Sequence, residues 1–93
     1  KAELSYKDGI VRVYLYDAEM NSLNLSKFNP EAKATVILPK KTKGPKTVKF
    51  TLALKDGFFS GVLKKPAKKP YNIDVIFQEG EKSLLAAFDN LDF

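Results

Sequence analysis

The stretch "TVKFTLALKDGFFSGVL", residues 47–63, restricts the fold more than any other part of the chain. Val48, Phe50, Leu52 and Leu54 alternate with Thr47, Lys49, Thr51 and Ala53. A period of two belongs to a strand with one buried face, because successive Cβ atoms point to opposite sides of a sheet. Asp56-Gly57 follows at once, and Asp-Gly tolerates the positive φ of a two-residue hairpin turn. "FFSGVLK" at 58–64 then reads as the returning strand. Gly61 within it is expected to mark a bulge or a close approach of another backbone.

The same pattern recurs on both sides. "AELSY" at 2–6 leads through Asp8-Gly9 into "IVRVYLYD" at 10–17. There Val11, Val13 and Leu15 face one way, and Arg12, Tyr14 and Tyr16 the other. Residues 17–32 have no clean period and read as a wide connection with room for a short helical turn. Leu23, Leu25 and Phe28 are its expected anchors. "KATVILP" at 33–39 is a strand stopped by Pro39. "YNIDVIFQ" at 71–78 alternates, with Tyr71, Ile73, Val75 and Phe77 inward and Ile76 out of phase. "EGE" at 79–81 is a third turn, and "KSLLAAFD" at 82–89 the last strand. Seven strands with turns between them predict an all-β fold: one antiparallel β-sandwich, Ig-like in architecture. The Trp and paired Cys of an antibody domain are absent. The expected core is Val11, Val13, Leu15, Val36, Leu38, Val48, Phe50, Leu52, Leu54, Val75, Phe77, Leu84 and Phe88.

With 93 residues, no repeat and no linker, residues 1–93 form one domain. No apolar run approaches the ~20 residues that span a bilayer as a helix. The chain starts at Lys1 without a signal-peptide h-region, so the expectation is a trimmed fragment whose targeting segment lies outside it.

Composition excludes several chemistries. There is no cysteine and no histidine. Disulfides, thiolate sites and the usual neutral-pH acid–base residue are therefore missing. Zinc or copper would have only carboxylates and Met20. Asp17 with Glu19, Glu79 with Glu81, and Asp89 with Asp92 could pair as acid and base, but each pair sits in a turn or near the chain end. Carboxylates there commonly cap backbone groups. No serine lies in a nucleophile elbow, and the glycines form no phosphate-binding loop. "DAEMNSLN" places oxygens as a calcium loop begins, then lacks its central Gly and final Glu. The chain is expected to be non-enzymatic, with no catalytic residue, metal site or cofactor.

Charge is the remaining lead. Residues 33–73 hold eleven lysines against one acid, Asp56, whereas residues 74–93 hold Lys82 against five acids. Lys40, Lys41, Lys43 and Lys46 fall in one connection, and Lys64, Lys65, Lys68 and Lys69 in another. Brought to one end, they would make a positive pole for an anionic lipid or glycan. Alternatively, lysine and proline at strand ends keep edges apart and loops solvated. Sequence-specific nucleic-acid readout is not expected, because Arg12 is the sole arginine and stands in another strand. Arg12, Tyr14 and Tyr16 offer a second candidate face, for a protein partner.

"DGIVRVYLYDAEMNSLNLS" resembles a pattern of small exported bacterial β-sandwich domains found with heavy-metal efflux adaptors and related envelope proteins. "TVKFTLALKDGFFSGVL" is similar to their second half. The resemblance covers about two-thirds of the chain and rests on strand patterning. It implies a periplasmic or otherwise exported accessory module that binds another envelope protein. An accessory role in metal efflux is the alternative it carries. The His and Met ligands of such systems are absent, so no metal residue is transferred.

Overall fold

The computed structural model describes residues 1–39, 47–64 and 69–92. Seven strands appear there and no helix: β1 (Ala2–Lys7), β2 (Ile10–Leu15), β3 (Glu31–Ile37), β4 (Thr47–Lys55), β5 (Phe58–Val62), β6 (Tyr71–Glu79) and β7 (Lys82–Leu91). All pairings are antiparallel, and the strands form one sheet in the order β1-β2-β5-β4-β3-β6-β7. The sheet curls until it is nearly closed.

This corrects the expected two-sheet sandwich. Ile10–Val13 of β2 pair with Phe59–Val62 of β5, which joins the N-terminal hairpin to the rest in one ladder. Every strand from β2 to β6 thus has a hydrogen-bonded neighbour on both sides, and the sheet has no internal break. A single sheet buries one face only by curving round it.

Turn chemistry sets the hairpins. Asp8 and Gly9 have φ of 53° and 78°, and Asp56 and Gly57 have 52° and 85°. Both central residues are left-handed, the twist that lets a two-residue loop match its strands. Gly61 answers the close-approach alternative: a Cβ there would stand 2.5 Å from the carbonyl oxygen of Thr51 on β4.

The inward faces supply the core. Val11, Val13, Val36, Leu52, Phe59 and Val75 have no exposed surface. Phe28, Phe59 and Phe77 pack as a tilted cluster with ring centroids 4.9–6.4 Å apart. Phe28 and Leu25 come from the connection between β2 and β3, as expected of its anchors. That connection crosses one end of the sheet: Phe28 bridges Glu79, and the Asn29 N–H donates to the Gln78 carbonyl at 2.7 Å. Tyr71 and Ile73 are buried too, while Ala32 and Ala34 give β3 a small-residue inner face.

Two expected core residues are exposed. Val48 faces Val36 but lies near the end of the sheet where the chain leaves for residues 40–46. Leu84 points inward opposite the buried Phe77, yet 41% of it is exposed.

Candidate functional site

A nearly closed sheet has two free edges, here β1 and β7. A cleft of about 320 Å³ lies between them. Lys1 and Ala2 at the start of β1, Leu15 and Leu23 form one wall, and Leu84–Phe88 of β7 form the other. Phe77 of β6 reaches it from the core side. Leu84 is therefore an inward residue without a neighbour on its outer flank. The loss of one lateral contact leaves it half in water.

β7 is the longest strand, at ten residues. Its central run, Ser83–Phe88, contains no charge, proline or glycine. Natural edge strands are usually short, charged, bulged or covered, because unpaired N–H and C=O groups template another strand. In β7 the interruption comes late, at Asn90, which has φ 56° and whose N–H donates to the Asn72 Oδ1 at 3.0 Å. The register shift between Tyr71 and Ile73 lies opposite it. Outside the seam, Leu85 is 67% exposed and Ile76 beside it 46%, a cross-strand apolar pair on the outer face. The out-of-phase Ile76 of the sequence is thus half of a surface patch.

The β1 wall is held by an extension of the β1–β2 ladder. The Tyr16 N–H donates to the Lys1 carbonyl at 2.7 Å, and the N-terminal ammonium donates to the Tyr16 carbonyl at 2.9 Å. At the other end, the Tyr6 hydroxyl donates to the Leu63 carbonyl at 2.7 Å. The Tyr71 hydroxyl is buried with no hydrogen-bond partner among the described residues. Burial, reinforced by Tyr6 and Asp92, raises the Tyr71 phenol above its ordinary 10.0. A buried hydroxyl resists ionisation because water no longer stabilises the anion.

The residues singled out from the sequence fall into three places. Lys40, Lys41, Lys43, Lys46, Lys65 and Lys68 lie outside the described residues. Lys64 and Lys69 are exposed, and Lys69 meets Asp92 at 3.4 Å in a surface ion pair of small energetic weight. Strand direction decides one open matter. β3 and β5 run the same way, so the connections after them leave at the same end of the sheet. β3 also pairs with β6, and Ile37 stands opposite Asn72. The chain therefore leaves β3 beside the point where it enters β6.

Arg12 and Tyr14 lie on the outer face, away from the seam cleft. The Tyr14 ring packs on Phe58 with centroids 5.3 Å apart. Tyr16 lies beyond the end of β2 in a bridge with Ser22. Phe58 is the residue sequence reasoning missed there; the β2–β5 pairing that brings it to Tyr14 has no local signal.

The polar connection uses its oxygens on itself. Asp17 Oδ1 accepts the N–H groups of Glu19 and Asn21, both at 2.9 Å. Asn24 and Asn29 accept the N–H two residues on, at 3.0 Å. These are Asx turns. Among the described residues no group of three or more Asp or Glu is placed to hold a metal ion. No helix there is long and apolar enough to cross a membrane. No family model, curated protein or solved structure matches this chain.

Proposed function

We propose that this chain is a non-catalytic protein-interaction module that takes up an extended strand along its β7 edge. One observation carries the reading: a ten-residue edge strand whose central run, Ser83–Phe88, is uncharged borders a cleft in which inward-facing Leu84 is 41% exposed. Main-chain groups of an added strand would supply affinity, and alternate apolar side chains entering the cleft would supply selectivity. The location in a bacterial envelope, and an envelope protein as partner, rest on the resemblance of residues 8–26 and 47–63 alone.

Peptides selected by display on the immobilised protein test this. The selected sequences should alternate apolar residues, and their NMR shift changes should centre on Leu84–Phe88. Selection of none, or shifts centred on Tyr14 and Phe58, would overturn the reading.

A second reading is favoured by the shared end of the two lysine-bearing connections. An anionic glycan or lipid headgroup would bind there through a salt-dependent field. Replacing Lys64 and Lys69 with Gln should then shorten retention on heparin at low salt; unchanged retention counts against it.

A further inference from the structure

We infer that the cleft takes one lone peptide strand, inserted between β1 and β7 and antiparallel to both, with an apolar centre and a basic residue at each end. The inference rests on the proposed strand addition at β7 and names the form and chemistry of the ligand.

Strand order sets the direction. Seven strands joined in series by antiparallel pairings make β1 and β7 run the same way. A single strand antiparallel to both closes the sheet into a barrel in which every pairing is antiparallel. The occupant is a strand without a sheet of its own. The cleft is walled on both sides, so a neighbour carried in with it would collide with Lys1, Ala2, Leu15 and Leu23.

The main chain of both edges has the phase such a strand needs. Lys1 and Tyr16 exchange both of their N–H···O bonds. Bonded and non-bonded pairs alternate along an antiparallel ladder, so Glu3 and Ser5 also turn their amides to β2, and Ala2 and Leu4 turn theirs to the cleft. On β7 the two-residue turn at Gly80 and Glu81 makes Glu79 and Lys82 a bonded pair. Leu84 and Ala86 therefore bond to β6, and Ser83, Leu85 and Ala87 turn their amides to the cleft. Ala2 and Leu4 point their side chains inward, whereas Ser83, Leu85 and Ala87 point theirs outward. Opposed residues of an antiparallel pair share a face. One strand whose inward residues bond to β1 and whose outward residues bond to β7 satisfies both edges at once. Its inward side chains fill the open flank of Leu84.

Charge defines the ends. The uncharged run of β7 is bracketed by Glu81 and Asp89, both exposed and neither ion-paired among the described residues. They stand eight residues apart, about 26 Å along a strand. Lys82 offsets Glu79, and Lys69 already holds Asp92. β1 and its turn are balanced, with Lys1 and Lys7 against Glu3 and Asp8, so β7 sets the sign. Basic ends on the ligand meet these two carboxylates; acidic ends would be repelled.

The probe is a blocked nine-residue peptide with lysine at each end and valine alternating with threonine between, titrated into the isotope-labelled chain and followed by NMR. With its lysines opposite Asp89 and Glu81, its valines fall opposite Phe88, Ala86 and Leu84. Binding should protect the amides of both Leu4 and Leu85 from hydrogen exchange. A spin label at the peptide N-terminus should broaden Lys7 and Asp89 more strongly than Ala2 and Ser83. E81K combined with D89K alters exposed side chains only, and should weaken binding about tenfold at low salt while favouring the same peptide with glutamate ends. Protection of Leu85 without Leu4, the reverse pattern of broadening, or an affinity that E81K/D89K leaves unchanged overturns the inference. So does a probe that fails to bind. If display-selected strands still bind at Leu84–Phe88 in any of these cases, strand addition at β7 stands and only the inserted, basic-ended ligand is wrong. If no strand binds there either, both readings fall.

Discussion

The two sides of this curled sheet are built from the same alternating sequence but reach different states. On the closed side, β5, β4, β3 and β6 each have two neighbours, and away from the strand ends, where Val48 is exposed, their central inward residues are sealed: Leu52, Phe59, Val36 and Val75 have no exposed surface. On the seam side, β1 and β7 have one neighbour each. Leu84 points inward as surely as Leu52, yet it remains half exposed. Side-chain direction is set within a strand. Burial requires neighbours on both flanks, which the strand cannot provide.

The sharpest way to break this contrast is at its sealed side. Phe59→Ala removes the ring that packs on both Phe28 and Phe77, and should cost about 3–5 kcal/mol in urea unfolding. Leu52→Ala should cost about 2–5 kcal/mol. The matched change at the seam, Leu84→Ala, should cost clearly less than Leu52→Ala, since water already covers much of that side chain. Equal losses would show that the seam is closed in solution. Gly61→Ala should cost about 1–3 kcal/mol, because its Cβ would press on the Thr51 carbonyl and the β4–β5 ladder would have to shift.

The smallest effect concerns Tyr71, where β6 faces Tyr6. Tyr71→Phe removes a buried hydroxyl without a hydrogen-bond partner among the described residues and should raise stability by about 1 kcal/mol. The sign with pH follows from its raised pKa. The fold holds the phenolic proton more tightly than the unfolded chain does. The stability tied to it is therefore complete below pH 10 and lost as pH rises through the folded value. Thermal melts should thus fall more steeply above pH 10 in the parent chain than in Tyr71→Phe. Parallel slopes would contradict this.

Much of the fold was legible locally. β4 has the bounds its alternation predicts, and the Asp8-Gly9 and Asp56-Gly57 turns carry the positive φ their residues allow. The inward set of β6 is also as its pattern states. Pairing between distant strands was not legible. Nothing in "IVRVYL" names "FFSGV" as its neighbour, so the two-sheet sandwich was the natural expectation, and Phe58 went unnoticed as the platform under Tyr14. The seam was hidden for the same reason: an edge strand and an interior strand alternate alike. What did show in the sequence was a long run without charge, "SLLAAF". That run reads equally as a core strand or as an unguarded edge.

The four-residue joint between β2 and β5 has a consequence for the order of assembly. The β1–β2, β4–β5 and β6–β7 hairpins each close across two residues, whereas Ile10–Val13 reach Phe59–Val62 over more than forty residues of chain. Closing a loop costs entropy that grows with its length, and non-local pairing slows folding. The N-terminal hairpin should therefore dock last, onto a β3–β7 unit already formed. Pulse-labelling hydrogen exchange would show this as late protection of Val11 and Val13. Until that docking, β2 and β5 each present a free edge, and the folding chain carries four open borders where the finished molecule keeps two.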